Sequence, residues 1–181
     1  SANGRPSAER DLWRGAAPTP RGPPPREVVE RIVKARQLRA SGDSDGAIQY
    51  MERAVELDPE FALAWAAMAE NTRWLNSNST LSWTEAIRLR DETARRALEL
   101  DPELGQAYMA LAFNDDLSED FEASEAKYRK AIELSPGFAQ AYDWYSDSLQ
   151  RFPGRLREAL ALIRKAEELD PLSPEIQTEI A

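Results

Sequence analysis

The sequence predicts an all-α superhelix, a solenoid of about four helix-turn-helix repeats followed by a C-terminal capping helix. The phrase Glu-Leu-Asp-Pro occurs at residues 56–59, 99–102 and 168–171, and as Glu-Leu-Ser-Pro at 133–136. Its four prolines are separated by 43, 34 and 35 residues, a range of periods typical of stacked helical repeats. Most windows carry apolar residues at helical spacing, and strand-like alternation is nearly absent.

Each phrase ends one helix and directs the chain into the next. The residue before a proline is disfavoured in the helical conformation, and proline cannot donate the next backbone hydrogen bond. The prolines therefore divide the chain into repeats at about residues 27–59, 60–102, 103–136 and 137–171, with a capping or truncated helix at 173–181. The second repeat is the longest, and we expect its extra residues to form a polar loop and additional helical turns.

Positions on both sides of the prolines recur in one register. The small residue that is found five positions before each proline is Ala54, Ala97, Ala131 or Ala166. The aromatic residue that follows a proline by six positions is Trp65, Tyr108 or Tyr142. In this register the chain resembles the tetratricopeptide repeat (TPR) family over roughly residues 28–181. Arg90 departs from the family pattern, because it stands where a small residue is expected.

A second resemblance concerns the larger protein of which this chain would be part. The runs at 57–69 and 166–174, with the long second repeat, are similar to C-terminal TPR domains of bacterial signalling proteins, such as TPR-tailed adenylate cyclases and winged-helix transcription regulators. Residues 1–26 hold six of the twelve prolines and five arginines, so we predict a flexible linker there. Leu12 and Trp13 are an apolar pair within it that could dock on a nearby surface.

Composition excludes several classes of function. Residues 1–40 carry a net charge of +5 and the remainder −14, so we expect no direct nucleic-acid contact by the repeats. The chain has no cysteine and no histidine, which rules out the usual zinc sites, and we predict no metal or cofactor. We find no apolar run long enough for a membrane span, and the compartment, cytoplasm or periplasm, stays open.

One acidic turn is compatible with two interpretations, a calcium site and a solvated turn. Residues 114–120 contain four carboxylates. They lack the alternating spacing and the glycine of a calcium loop, so we predict a solvated turn in which Asp120 caps the following helix. We also find no nucleophile beside a base and no phosphate-binding glycine loop, so the chain is not expected to be an enzyme.

The TPR resemblance implies an inner groove, lined by the first helix of each repeat, that binds peptides or partner proteins. Met109 and Phe113 are apolar at positions on this face that packing does not require, so they either mark a binding site or cover a neighbouring helix. The candidate groove residues are Arg73, Trp74, Met109, Phe113, Asp143 and Asp147. We therefore predict a non-catalytic scaffold for a protein or peptide partner, with self-association kept open. The alternative is a sensory domain that binds a ligand near Trp74 and Trp83 and controls an attached output domain.

Overall fold

The computed structural model describes residues 25–75, 79–171 and 173, and these residues form eight α-helices and no strand. The helices are α1 Arg26–Ala40, α2 Ser44–Leu57, α3 Ala62–Asn71, α4 Trp83–Leu100, α5 Gly105–Leu117, α6 Phe121–Leu134, α7 Ala139–Gln150 and α8 Leu156–Leu169. Short 3-10 turns follow α3 at Thr72–Trp74 and precede α8 at Pro153–Arg155. The predicted all-α class and the four helix pairs are confirmed. Apart from residues 25, 26 and 173, the predicted linker and capping helix lie outside the described residues and stay predictions.

The eight helices form two layers. Contacts within the pairs α1/α2, α3/α4, α5/α6 and α7/α8 are the most extensive. The first helices also touch one another in order, α1 to α3, α3 to α5 and α5 to α7. Each second helix packs on the first helix of the following repeat. The first helices therefore form the inner layer of a solenoid, and they run parallel because each is reached through one helical hairpin.

The recurring aromatic residue has a specific role that its position in the repeat explains. Trp65 Nε1 donates to the carbonyl oxygen of Pro59 at 2.8 Å. Tyr108 and Tyr142 donate their hydroxyls in the same way to Pro102 and Pro136, at 3.2 and 3.0 Å. Each aromatic side chain thus fixes the turn through which the chain enters its helix. This explains why the position holds tryptophan or tyrosine, which carry a donor, rather than phenylalanine.

Helix starts follow the capping rules that the sequence indicates. Asp43 and Asp120 accept hydrogen bonds from the backbone of Gly46 and Ala123, so the predicted cap at Asp120 is confirmed. Ser82 and Glu85 form a reciprocal capping box at the start of α4. These caps satisfy backbone donors that have no partner within their own helix.

Small residues allow the two helices of a repeat to approach closely. The alanines found five positions before the prolines are completely buried. At Gly105, the first residue of α5, an added Cβ would lie 2.6 Å from Ser135 Oγ and 2.7 Å from the carbonyl oxygen of Ala131. The end of α6 therefore leaves no room for a side chain at this position.

We expect Gly105→Ala to lower the free energy of unfolding by about 1–2 kcal/mol, because overpacking against backbone outweighs the gain in helix propensity. Gly154→Ala is the matched control, since nothing lies within 4 Å of an added Cβ there. Urea unfolding followed by circular dichroism measures both. Equal stability of the two variants would show that α5 and α6 are further apart than described.

Candidate binding surface on the inner helices

The inner face is defined here by side chains on α1, α3, α5 and α7 and on the 3-10 turn that follows α3. It includes all six site residues predicted from the sequence, together with polar and charged neighbours on the same helices. The contacts among its members join repeats that are not neighbours in the chain. The members are Arg36, Arg39, Glu70, Arg73, Trp74, Gln106, Met109, Phe113, Asp143 and Asp147.

Glu70 is the charged centre of the first half of the inner face. It is 1% exposed, and its carboxylate accepts from Arg39 Nη1 at 2.6 Å, with Arg36 Nη2 at 3.8 Å. Burial by itself would raise the pKa of Glu70. The charges of Arg39 and Arg36, with hydrogen bonds from Arg39 and Gln140, outweigh burial and lower the pKa. Glu70 is therefore ionised at neutral pH, and it links α1, α3 and α7.

Arg73 crosses the inner face from the second repeat to the fourth. Its guanidinium forms an ion pair with Asp147 of α7. The guanidinium carbon lies 4.6 Å from the ring centroids of both Phe113 and Trp144, which are 5.5 Å from each other. Cation–π contacts of this kind contribute about 0.5–2 kcal/mol. Arg73 is thus held above an aromatic pair that α5 and α7 supply.

Arg90 on α4 supports this arrangement from within the core. The side chain is completely buried, and it donates to Thr72 Oγ1 and to Asn114 Oδ1, both at 2.7 Å. Its guanidinium carbon lies 4.6 Å from the Phe113 ring centroid. Burial, and then the charge of Arg73, lowers the pKa of Arg90 to about 10, so it stays protonated at neutral pH. The departure from the small-residue pattern therefore places a second cation beneath Phe113.

Asp116 connects three helices beneath the inner face. It is 2% exposed and accepts hydroxyl hydrogen bonds from Ser124 at 2.6 Å, Ser148 at 2.7 Å and Tyr128 at 3.1 Å. Burial, and then the negative charge of Asp116, raises the pKa of Tyr128 well above its usual value. The prediction of a solvated turn is wrong for this residue, because α5 continues to Leu117 and turns Asp116 inward. Sequence spacing gives no signal for hydroxyl partners on α6 and α7.

The structure brings most of the predicted site residues together. Arg73 contacts Phe113 and Asp147 directly. Trp74 is half-buried, with the guanidinium carbons of Arg39 and Arg73 at 5.4 and 5.9 Å from its ring. Asp143 lies one turn before Asp147 and is 4% exposed. These contacts place the candidates on one surface, and their role in binding stays a proposal.

Of the two interpretations of Met109, the structure supports the one in which its side chain covers a neighbouring helix. Its side chain is completely buried in the core cluster that also contains Trp144 and Tyr128. Phe113 is partly buried and packs on the same cluster. The reason is that α5 is covered on this side by α7, so this position faces a neighbouring helix. Of the two apolar candidates, only Phe113 retains exposed surface.

A surface cleft of about 340 Å³ lies between α2, the chain that precedes α4, and α4. It is lined by Asp45, Ile48, Gln49, Glu52, Thr80, Leu81, Glu85, Arg88, Leu89 and Glu92. Neither Trp74 nor Trp83 contributes to it, and Trp83 is 51% exposed. The cleft is therefore on the outer side of the solenoid, away from the inner face. In the part of the chain that the structure describes, no helix meets the length and hydropathy that a membrane span needs.

Comparison with known proteins agrees with this architecture. The sequence profile of the tetratricopeptide repeat family matches residues 28–71, which span α1, α2 and α3. The thermophilic TPR protein TTC0263 of Thermus thermophilus superposes with a TM-score of 0.66. Its sequence is 17% identical, and the superposition covers 86% of this chain and 80% of the TTC0263 chain. The chain folds as a TPR solenoid.

A second solved structure, MamA, shows the same likeness to this TPR solenoid. Its sequence is 19% identical, and it superposes with a TM-score of 0.50 over 90% of this chain and 85% of the MamA chain. Identities in this range establish the fold and not a shared partner. A search of curated proteins found no match to the sequence.

Proposed function

We propose that this TPR solenoid is a non-catalytic scaffold whose inner face binds an extended segment of a partner protein, within a larger bacterial signalling or regulatory protein. The observation that carries the proposal is the position of Arg73 above Phe113 and Trp144, paired to Asp147 across the third repeat. Arginine and large aromatic side chains supply most of the energy in protein interfaces. Here Arg73 and Phe113 are partly exposed on one face, and the completely buried Trp144 supports them from beneath.

The charges on this face suit recognition better than catalysis. Glu70 is paired with Arg39, and Asp147 is paired with Arg73. A general acid or base needs a pKa near the working pH, whereas the pKa of Glu70 is lowered by its arginine neighbours. The net charge of −14 on residues 41–181 also favours a protein partner over a nucleic acid.

Phe113→Ala should weaken binding of the partner by about 1–2 kcal/mol, which is roughly 5- to 30-fold in Kd. The partner is first retrieved with the wild-type chain, and calorimetry then compares the variants. Arg73→Gln is a second inner-face variant. It removes a partly exposed guanidinium, so it opens no cavity in the core. Trp83→Ala is the matched control, because this exposed aromatic lies at the start of the outer helix α4.

Circular dichroism must show that each variant keeps its helical signal. The proposal would be contradicted if both inner-face variants bound as tightly as the wild type while Trp83→Ala lost binding. Loss of binding in all three variants, with intact helices, would mean that the contact surface is not confined to the inner face and includes the start of α4. Only a loss confined to Phe113→Ala and Arg73→Gln supports the inner face.

The second candidate function is a sensory domain that controls an attached output domain. The outer cleft favours it, since Ile48, Leu81 and Leu89 line a concave surface that is rimmed by carboxylates. Gln49→Trp would fill this cleft from an exposed position on α2. Loss of a ligand response in this variant, with partner binding by the inner face unchanged, would establish the second candidate.

A further inference from the structure

The outer helix α8 carries an exposed ridge, defined by Leu156, Arg157, Leu160, Ala161 and Arg164. Leu156 and Leu160 are 46% and 52% exposed, and they lie one turn apart. Arg157 and Arg164 stand three residues before and four residues after Leu160, so they flank it on one helix face. Neither arginine forms an ion pair within the part of the chain that the structure describes. The α8 ridge therefore combines apolar side chains with two cations that no neighbouring carboxylate neutralises.

The repeat register shows that this helix face is one on which other elements pack. Phe121 on α6 precedes Leu156 by 35 residues, which is the spacing of the last two repeat prolines. Phe121 packs edge-on against Phe152 of the following repeat, with ring centroids 5.0 Å apart. On α8 the equivalent Leu156 is exposed instead. The α8 ridge is therefore a helix-packing surface that stays open in the structure.

The outer cleft between α2 and α4 has the complementary chemistry. Its floor is apolar and contains Ile48, Leu81 and Leu89. Four carboxylates and one arginine also line it, so the rim carries a net negative charge. Its volume of about 340 Å³ is in the range that accommodates small ligands, which are larger than two leucine side chains. The two leucines of the α8 ridge fit such a cleft, and the two arginines match the charge of its rim.

The walls of the outer cleft are held in place by hydrogen bonds within the chain. The backbone N–H of Thr80 donates to the carboxylate of Asp45 at 2.9 Å, which ties the chain before α4 to the start of α2. Glu85 is fixed by its capping box with Ser82. Glu52 on α2 is exposed and forms no ion pair within the described residues. The cleft is thus preorganised, and the carboxylate of Glu52 is available to a cation from outside.

The α8 ridge and the outer cleft do not meet within one chain, since both are exposed in it, but a second copy of the chain can bring them together. We propose that the α8 ridge of one copy docks in the outer cleft of another, with Leu160 as the apolar anchor and Arg157 and Arg164 beside the carboxylates of the rim. Each pair of copies then keeps one free cleft and one free ridge, so association is head-to-tail and does not close at two copies. The inference goes beyond the proposed function, because it concerns the outer helices alone.

Sedimentation velocity of the whole chain at increasing concentrations measures self-association without any other molecule. We expect reversible association that weakens as sodium chloride is raised, because salt screens exposed charges. Leu160→Glu brings a carboxylate against the acidic rim, and Gln49→Trp fills the cleft from an exposed position on α2. Each variant alone should weaken self-association by about ten-fold or more in Kd.

A mixture of the two variants gives the decisive measurement. Leu160→Glu keeps an intact cleft, and Gln49→Trp keeps an intact ridge. An equimolar mixture should therefore regain the wild-type affinity and form one-to-one complexes that grow no further. Leu57→Glu is the matched control, because Leu57 is 46% exposed on α2 and belongs to neither surface. This control should associate like the wild type.

A wild-type chain that stays monomeric at every accessible concentration would overturn the proposal. Association that survives either variant, or a mixture that associates no better than the separate variants, would overturn it as well. Circular dichroism must show that each variant keeps its helical signal. If Leu160→Glu unfolds, Arg164→Glu replaces it, since this exposed arginine contributes charge to the ridge without filling the core. The measurement contains neither partner nor ligand, so its outcome is independent of both candidate functions.

Discussion

Trp144→Ala is expected to lower the free energy of unfolding by about 3–5 kcal/mol. Trp144 is completely buried on α7, where its ring contacts Phe113 and lies beneath the guanidinium of Arg73. The indole N–H has no hydrogen-bond partner in the described structure, so the loss is one of packing and cation–π contact. The inner face loses half of the aromatic pair that supports Arg73.

Urea unfolding measures this loss, with Trp83→Ala as the control. Trp83 is about half exposed, so its truncation should change the free energy of unfolding by roughly 0.5 kcal/mol or less. Similar losses for the two variants would mean that Trp144 does not fill the contact between α5 and α7. That result would also remove the structural support proposed for Arg73.

Asp116→Ala is expected to cost about 3 kcal/mol, because three buried hydroxyl groups lose their acceptor and each unsatisfied group costs about 1–3 kcal/mol before it relaxes. The three donors, Ser124, Tyr128 and Ser148, lie on α6 and α7, so the carboxylate joins the third repeat to the fourth. We expect the denaturant midpoint to fall with little change in the slope m.

The neighbouring residue supplies a matched control. Asp115 forms an ion pair with Lys127, and both side chains are partly exposed. Pairs of this kind contribute about 0–1 kcal/mol, so Asp115→Ala should be nearly neutral. If Asp115→Ala lowered the free energy of unfolding more than Asp116→Ala, then Asp115 and not Asp116 would be the aspartate that points into the core at the end of α5.

The fold could be predicted because its signals are local and repeated. Each Glu-Leu-Asp-Pro phrase, with its Glu-Leu-Ser-Pro variant, acts through backbone conformation. The recurring small and aromatic residues act through contacts that are repeated along the chain. The hydrogen bond from Trp65, Tyr108 and Tyr142 to the preceding proline carbonyl belongs to the same set of local contacts. Arg90 is visible in the sequence as an exception, whereas its partners Thr72 and Asn114 depend on how adjacent helices pack.

The candidate site could be predicted only in part, for a physical reason. The sequence indicates which residues share the inner face, and Arg73, Phe113 and Asp147 do lie together. The pair Arg73–Asp147 joins residues 74 positions apart in repeats that are not adjacent in the chain. Such a contact depends on the accumulated curvature of the solenoid. The two interpretations of Met109 could not be separated from the sequence for the same reason, since its burial depends on how closely α7 covers α5.

The central claim is that a partner binds to the inner layer of helices. Its most direct test is an NMR map of amide chemical shifts when the shortest binding segment of the retrieved partner is added to the wild-type chain. We predict that the changes concentrate on α1, α3, α5 and α7, with their centre at Arg73 and Phe113. Changes confined to α2, α4, α6 and α8, with the inner helices undisturbed at saturation, would contradict the account.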